Sequence, residues 1–216
     1  MIDEVISVKV YPLVLGPVQT TCYIVSNQGK AVVIDPAANA HKIIQYLGTN
    51  KLGLEAILLT HGHFDHIGAV NELATKYQVP VYAHKLEKEY FENPEVNLST
   101  MMYQPFVLKE DLDYRWLADG AEFTCLGTQV KVFHVPGHTS GSLCYYFADD
   151  AMVFTGDTLF KQSIGRTDFI YGNHQQLVAG IKGKLLTLSD HTLVYPGHGD
   201  CSTVADEKQN NPFLKA

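Results

Sequence analysis

Short runs of apolar and β-branched residues, separated by turn residues, make up most of the first third of the chain. The runs Val5–Tyr11, Cys22–Ser26 and Ala31–Asp35 are separated by Gly-Pro and Asn-Gln-Gly steps, and this spacing predicts three strands. Ala40–Leu47 has helical spacing, and Glu55–Thr60 is typical of a buried strand. Strands and helices are therefore expected to be mixed from the start of the chain.

The same two patterns continue to the end of the chain, with one irregular segment. Helices are predicted over Ile67–Tyr77, over Lys85–Phe91 and from about His174 to Leu188. Strands are predicted at Val79–Ala83, Glu122–Leu126, Gln129–Val135, Ser142–Ala148, Met152–Thr155 and Thr192–Tyr195, with a hairpin turn at Asp149-Asp150. Glu92–Asp113 has no clear period, and segments of this length are often functional. No linker-like stretch divides the chain, so we expect one domain spanning residues 1–216.

Four motifs rich in histidine, aspartate and glycine come directly after predicted strands. They are THGHFDH, VPGHTSG, TGDT and YPGHGD. Because loops at strand ends present functional groups on a rigid scaffold, we expect the four motifs to converge on one edge of a β-sandwich. Imidazole nitrogen and carboxylate oxygen are ligands for zinc, iron and manganese. The motifs supply seven such side chains, namely His61, His63, Asp65, His66, His138, Asp157 and His198.

Composition and charge exclude several other classes of protein. The formal net charge is −7, and Lys and Arg form no cluster, which argues against nucleic acid as a partner. No apolar run approaches the roughly 20 residues that span a bilayer, and the N-terminus lacks the features of a secretory signal. The four cysteines form no CxxC pair, and Cys22, Cys125 and Cys144 lie in or beside predicted strands. We therefore expect reduced thiols, a cytoplasmic location and no membrane partner.

Taken in order, THGHFDH, PGHTSGS, TGDT and PGHG resemble the metallo-β-lactamase superfamily, specifically the short, single-domain bacterial hydrolases of its glyoxalase II-like branch. The resemblance implies an α+β fold, the αββα sandwich, in which two facing mixed sheets carry helices on the outside. It implies two divalent metal ions, zinc first, with iron or manganese as alternatives. The implied ligands are His61, His63 and His138 for the first metal, Asp65, His66 and His198 for the second, and Asp157 as the bridge.

The implied activity is hydrolysis of a thioester such as S-lactoylglutathione, or of a related small thioester or ester. Two adjacent cations lower the pKa of a shared water from about 15.7 towards 7, which supplies hydroxide at neutral pH. A thiolate leaving group needs little protonation. Asp157 and Asp65 are the expected catalytic residues, Asp65 by orienting the nucleophile. Arg166 either clamps a substrate carboxylate, as the resemblance implies, or forms an ion pair with Asp168 or a neighbouring acid.

Two departures from the glyoxalase II pattern bear on the substrate. Asp168 stands near a position where that pattern has an aromatic residue, and only residues 199–216 follow His198. Full-length glyoxalase II continues into a helical region with further basic contacts to glutathione. We therefore expect a small-molecule substrate that can differ from glutathione conjugates. The sequence does not indicate the oligomeric state.

Two alternatives to a thioester hydrolase remain open at this point. Persulfide dioxygenases share the scaffold and the GRTDF-type loop but use a single iron, whereas this chain keeps every second-site residue. A non-catalytic metal-binding module is the second alternative. Typical zinc β-lactamases are exported, have cysteine at the position of Asp157 and usually have arginine at that of His66, so β-lactamase activity is disfavoured. Met101, Met102, Tyr103 and Phe106 either line a substrate pocket or cover the core, the latter being the favoured interpretation.

Overall fold

The structure is a computed structural model that describes residues 7–215. Its strands are β1 (Lys9–Leu15), β2 (Thr20–Asn27), β3 (Lys30–Ile34), β4 (Gly53–Leu58), β5 (Val81–His84), β6 (Tyr114–Leu117), β7 (Glu122–Cys125), β8 (Thr128–His134), β9 (Leu143–Phe147), β10 (Met152–Gly156), β11 (Leu159–Phe160), β12 (Ser163–Ile164), β13 (Leu193–Pro196) and β14 (Ser202–Thr203). Its α-helices are α1 (Ala40–Thr49), α2 (Phe64–Ile67), α3 (Val70–Tyr77), α4 (Lys88–Glu92), α5 (His174–Gly180) and α6 (Val204–Asn210). Short 3₁₀ turns lie at Lys85–Glu87 and Ser99–Met102, and a π-helical turn at Ile181–Leu185. Among these helices, none has both the length and the apolarity needed to cross a membrane.

Within the described residues, the strands form two mixed six-stranded sheets and a small hairpin. The strand order is β1-β2-β3-β4-β5-β6 in the first sheet and β14-β13-β10-β9-β8-β7 in the second. β3 to β6 are parallel in the first sheet, and β10 and β13 are parallel in the second. The other neighbouring pairs are antiparallel, as are β11 and β12 in the hairpin.

Alternating side chains give each sheet two buried faces. In β3, Val32 and Ile34 pack between the sheets, whereas Ala31 and Val33 pack on the outer side. The outer cluster of the first sheet includes Ile43 of α1 and residues of α3, and the outer cluster of the second sheet includes Leu177 of α5 and Val204 of α6. Helices therefore cover both outer faces, and the predicted αββα sandwich is confirmed.

Most predicted elements are present, with shifted ends. The predicted strand Val5–Tyr11 is only partly testable because residues 1–6 lie outside the described part, and β1 runs instead over Lys9–Leu15. The predicted helix Lys85–Phe91 begins as a 3₁₀ turn before α4. The expected hairpin turn between β9 and β10 is confirmed by the hydrogen bond from Ala151 N–H to the Ala148 carbonyl (3.2 Å).

Six of the strands and helices in the described residues were missed, namely β6, β11, β12, β14, α2 and α6. β6 lies at the edge of its sheet, where most of its side chains are at least partly exposed, so the strand has no alternating pattern to detect. The short helix α2 interrupts the first histidine motif, and the predicted helix Ile67–Tyr77 begins only at Val70. Four residues are too few to display a helical period.

Candidate metal centre

The four metal-binding motifs follow the carboxyl ends of strands from both sheets. In chain order, His61 and His63 follow β4, His138 follows β8, Asp157 follows β10 and His198 follows β13. The two sheets meet here, since the N–H of Leu143 donates to the carbonyl of Thr60 (2.8 Å). This junction brings loops from opposite sheets to one edge of the sandwich, as the motif positions predict.

Asp65 and His66 reach the same edge from α2 rather than from a loop. Close packing around the motif depends on glycine. A Cβ on Gly62 would lie 2.5 Å from the Cβ of Tyr90, nearer than two carbon atoms approach in real structures. Gly62 therefore relieves crowding in this motif.

All seven predicted ligand side chains are brought together. Three overlapping groups have potential ligand atoms within 4.8 Å of one another: His61, His63 and His138; His61, His66 and Asp157; and Asp65, His66 and His198. We call the first group the first triad and the last group the second triad. Asp157 lies between them, which matches the division of ligands that the motif pattern implies.

The first triad is buried, and its nitrogen atoms face one another. His61 Nε2 lies 3.1 Å from His63 Nδ1, which lies 3.0 Å from His138 Nε2. No member is more than 3% exposed. Burial, reinforced by neighbouring histidines, holds the pKa of His61 well below its usual value and lowers the pKa of His63 to about 3. Burial also lowers the pKa of His138. The rings are therefore neutral, which is the form that binds a cation.

Hydrogen bonds on the outer side of two rings fix the nitrogen that faces the centre. His138 Nδ1 donates to the carbonyl of Arg166 (2.8 Å), and His66 Nδ1 donates to Oδ2 of Asp35 (2.9 Å). Burial alone would lower the pKa of His66, but Asp65, Asp157 and Asp35 outweigh burial and raise it well above its usual value, so His66 gives up a proton when a cation binds. A neutral imidazole carries one N–H, and each ring then presents the lone pair of Nε2 to the centre. Such outer partners orient metal-binding histidines in many proteins.

The second triad is more open to solvent. His198 Nε2 lies 3.2 Å from Asp65 Oδ2, and His66 Nε2 lies 3.5 Å from the same oxygen. The hydroxyl of Thr20 donates to this oxygen as well (2.7 Å). The His198 side chain is 29% exposed and that of Asp65 is 13% exposed. Substrate or water can therefore approach the centre from this side.

Asp157 presents one carboxylate to both triads. Its Oδ1 lies 3.2 Å from His66 Nε2, and its Oδ2 lies 3.6 Å from His138 Nε2 and 3.5 Å from His198 Nε2. Burial alone would raise the pKa of Asp157, but the histidines outweigh burial, chiefly His66, and the pKa is lowered. The carboxylate therefore stays ionised, which suits a bridging ligand.

Two buried polar atoms at the centre lack a hydrogen-bond partner among the described residues, which indicates that they bind a cation. His66 Nε2 and Asp157 Oδ1 are buried, and neither forms a hydrogen bond of acceptable geometry with a described residue. Unpartnered buried polar atoms are rare because desolvation costs about 1–3 kcal/mol each. Neutral imidazoles and ionised carboxylates that converge in this way fit divalent transition-metal ions.

Asp35 is a supporting residue that the sequence interpretation did not single out. It follows β3, is 2% exposed, and accepts hydrogen bonds from His66 Nδ1, the Thr60 N–H (2.8 Å) and the Thr60 hydroxyl (2.6 Å). Because that hydroxyl donates to Asp35, its oxygen is free to accept from His61 Nδ1 (3.1 Å). The sequence did contain a signal for Asp35, because it stands at the end of a buried apolar run, as the four motifs do.

Glu87 is the second supporting residue that was missed. Its carboxylate is fully buried and accepts from the N–H of Gly62 (2.6 Å), the N–H of Gly141 (2.7 Å) and the hydroxyl of Thr139 (2.7 Å). Burial raises the pKa of Glu87 to about 7, against the opposing effect of these three donors. One carboxylate thus joins the loop of His61 and His63 to the loop of His138. The predicted helix Lys85–Phe91 gave no sign that this charge is buried.

Arg166 lies at the mouth of the centre, and the ion pair is the arrangement observed. Its Nε and Nη2 donate to the two oxygens of Asp168 (3.0 and 2.7 Å), and its guanidinium lies 4.4 Å from the ring centre of Phe169. Its main-chain carbonyl supports His138. The side chain is thus engaged by an acid rather than free to bind a substrate carboxylate.

A cavity of about 440 Å³ opens above the ligands, and the irregular segment forms part of its wall. Met101 and Met102 line it together with Leu98. Met101 is 67% exposed and Tyr103 is 94% exposed, so the interpretation that these residues cover the core is wrong for them. Phe106 does pack against the core.

The comparisons with known proteins agree with this geometry. The model of the metallo-beta-lactamase superfamily matches residues 15–198. This chain belongs to the metallo-β-lactamase superfamily. Membership, together with the histidine-rich centre, makes it a metal-binding hydrolase of that superfamily.

Two curated bacterial relatives cover nearly the whole chain. A Bacillus subtilis protein named "Probable metallo-hydrolase YqgX" is 41% identical over 93% of this chain and 94% of its own length. The Haemophilus influenzae "Hydroxyacylglutathione hydrolase GloC" is 34% identical over 92% of this chain and 94% of its own length.

Two solved structures are similar in both sequence and fold. The B3 metallo-β-lactamase BLEG-1 is 40% identical, with a TM-score of 0.92 over 96% of this chain and all of that chain. TTHA1623, solved in a di-iron-bound form, is 37% identical, with a TM-score of 0.83 over 94% of this chain and all of that chain.

Proposed function

We propose that this protein hydrolyses a small thioester, with a hydroxyacylglutathione such as S-lactoylglutathione as the first candidate. The observation that carries the proposal is the pair of ligand triads that share Asp157. Asp157 faces His138 of one triad and both His66 and His198 of the other. The name of the Haemophilus influenzae relative supports the choice of substrate.

The seven clustered side chains would hold two divalent cations, zinc first, with iron or manganese as alternatives. When bound, the cations supply a water of low pKa and polarise the carbonyl oxygen of the substrate. Asp157 would keep both cations in one place, since its two oxygens face both triads. The di-iron form of TTHA1623 supports iron as an alternative to zinc.

Asp65 would orient the attacking water. Its Oδ2 accepts from Thr20 and lies beside His198, and its side chain reaches the wall of the cavity. Burial alone would raise the pKa of Asp65, but His66 and His198 outweigh burial, and the pKa is lowered. The carboxylate therefore remains able to accept a hydrogen bond from water in the cavity.

The lining of the cavity favours a thioester over an amide. Among the described residues, the lining includes neither Lys nor Tyr, and its imidazoles belong to the metal centre. An amine leaving group must be protonated, whereas a thiol with a pKa of about 8.5 leaves readily as thiolate. The substrate is thus a small molecule whose leaving group needs no acid from the protein.

Hydrolysis of a β-lactam ring is a second candidate, favoured by the similarity to BLEG-1. Asp157 stands where typical zinc β-lactamases have cysteine, and the ring-opened product carries an amine that must be protonated. Nitrocefin turnover measured beside thioester turnover ranks the two activities.

The experiment measures S-lactoylglutathione hydrolysis by protein reconstituted separately with Zn(II), Fe(II) and Mn(II), with bound metal counted in each sample. We expect turnover with two metals per chain. The Asp157→Ala variant should lower kcat/KM at least about a thousandfold, which corresponds to about 4 kcal/mol of lost transition-state stabilisation. The matched control is Asp111→Ala, at an exposed position outside the centre, which should keep wild-type turnover.

Two outcomes would contradict the proposal. One is the absence of thioester turnover in protein with both metals bound. The other is oxygen consumption with persulfide by protein that holds a single iron, which would favour the dioxygenase alternative.

A further inference from the structure

A second cavity adjoins the one above the ligands. This side cavity has a volume of about 460 Å³ and lies between the β1–β2 turn, the segment after β3, α2 and the irregular segment. Phe64, Asp65 and Met102 line both cavities. A substrate held at the metal centre can therefore extend past Phe64 and Met102 into a second, half-open cavity.

The side cavity is largely apolar and uncharged. Its apolar wall is formed by Pro17, Ala37, Ala38, Phe64, Met102 and Phe106. Asn39, Ser99 and Gln104 add neutral polar groups, and Asp65 alone among its described lining residues carries a charge. Apolar concave surfaces with a few neutral polar groups are typical of sites for uncharged organic ligands.

Outside the metal centre, the described residues of neither cavity offer an unpaired Lys or Arg side chain to an anionic substrate. Arg166 is the one lysine or arginine among the described residues that line either cavity, and both oxygens of Asp168 already bond to it. The two carboxylates of a glutathione conjugate would find no unpaired basic side chain among these described residues. The net charge of −7 adds no attraction for an anion.

Exposed apolar side chains mark the passage between solvent and the two cavities. Val18 is 43% exposed, Met101 67% and Met102 38%. Exposed apolar patches beside a concave site commonly mark ligand-binding surfaces. Methionine also adapts its shape to different partners.

We infer that the side cavity is a subsite for an uncharged, largely apolar arm of the substrate. The preferred thioester is then a neutral, elongated one rather than a glutathione conjugate. This inference rests on the proposed thioesterase function for its catalytic part. The arm belongs either to the acyl group or to the thiol, and the test separates these two sources.

The test uses two series of neutral thioesters. In one, the acyl group of N-acetylcysteamine thioesters grows from two to eight carbons, and in the other the thiol arm of thioacetates grows by the same steps. Burial of one methylene contributes about 0.8 kcal/mol, so kcat/KM should rise about threefold to fourfold per carbon in one series. In both series, the longer thioesters should have a higher kcat/KM than S-lactoylglutathione. Turnover that is flat with length in both series would overturn the subsite.

A variant that fills the side cavity supplies an independent readout. Ala38→Leu should make the gain in kcat/KM stop at a shorter chain, while Ala148→Leu, at an exposed position in the β9–β10 turn, should follow the wild-type curve. Binding of the non-hydrolysable thioether N-acetyl-S-octylcysteamine, measured by calorimetry, should weaken at least tenfold in Ala38→Leu alone. Equal binding in all three proteins would contradict the subsite.

The calorimetric result also separates the two proposals. Thioether binding that Ala38→Leu weakens, without turnover of any thioester, would refute the proposed function and leave the apolar subsite standing. Turnover of S-lactoylglutathione far above every neutral thioester would refute the subsite and leave the thioesterase standing.

Discussion

The two triads of the metal centre differ in how the protein holds them. The first triad is buried, and its two loops are joined by Glu87 through main-chain N–H groups of Gly62 and Gly141. The second triad is more open to solvent, and Asp35 accepts from the ring of His66. Outer partners orient rings in both halves, since His138 bonds to the Arg166 carbonyl, but only the first half is known to be held through its backbone by Glu87 as well. The half that is fixed most firmly is the one farther from solvent.

This difference suits a centre in which one side must stay open to substrate. The His198 side chain is 29% exposed, whereas every member of the first triad is at most 3% exposed. We expect the first triad to bind its cation more tightly, because its ligands lose less freedom on binding.

The largest expected effect comes from Glu87→Gln, which breaks the backbone support of the first triad. The amide keeps one acceptor oxygen, so its NH₂ group must face an N–H or hydroxyl donor that Glu87 now satisfies. An unsatisfied buried donor costs about 1–3 kcal/mol of unfolding free energy. Cation affinity at the first triad should fall about a hundredfold, at the upper end of the effect of outer partners on metal sites. Urea unfolding of metal-free protein and a Co(II) titration measure the two quantities.

The control for this variant lies on the neighbouring helix. Glu92→Gln changes an exposed carboxylate of α4 and should leave both quantities at their wild-type values. Loss of stability in Glu87→Gln without loss of Co(II) affinity would show that Glu87 supports the fold and not the centre.

A smaller effect is expected from Asp35→Asn, which tests the support of the second triad. The asparagine oxygen can still accept one bond from His66 or from the Thr60 N–H, and the amide can donate to the Thr60 hydroxyl. Affinity for the second cation should therefore fall about tenfold, at the lower end of the effect of such partners. The same Co(II) titration measures it, with Asp111→Asn as the exposed control. Equal losses at both cations would mean that the triads are not held independently.

The motif residues could be predicted from the sequence because two signals coincide there. Each residue is of a metal-binding type, and each motif follows a predicted strand. All seven were brought together at one edge. The layered fold was predictable through the resemblance that these motifs carry. Continuous apolar runs such as β3 also indicated strands with two buried faces, since the side chains on both faces are apolar.

The supporting carboxylates could not be predicted in the same way. Glu87 lies in a stretch rich in Lys and Glu, where the pattern suggests a solvated helix, and only the approach of two distant loops buries it. The three donors that Glu87 satisfies lie 25 to 54 residues away in the sequence. No local pattern reports such contacts. Asp35 could have been found, because it ends a buried strand like the metal ligands.

The smallest effect concerns the acid sensitivity of stability and involves His84, which precedes the 3₁₀ turn that carries Glu87. His84 stacks on His134 (ring centres 4.2 Å apart), and its Nδ1 accepts from the N–H of Leu86 (3.2 Å). Burial, with the charge of His134, lowers the pKa of His84 to about 4, below the usual value of about 6.5. Between these values the unfolded chain binds a proton that the folded protein does not, so His84 makes stability fall as the pH drops from about 6.5 to 4.

Replacing this ring should remove its share of the acid sensitivity. Metal-free His84→Gln should lose less unfolding free energy than the wild type between pH 7 and pH 5, as measured by urea unfolding. The buried histidines of the first triad also have lowered pKa values and contribute with the same sign in both proteins, so the difference between the curves isolates His84. His191→Gln, at an exposed position, should follow the wild-type curve. Parallel curves for all three proteins would mean that the 3₁₀ turn, and with it Glu87, does not depend on a neutral His84.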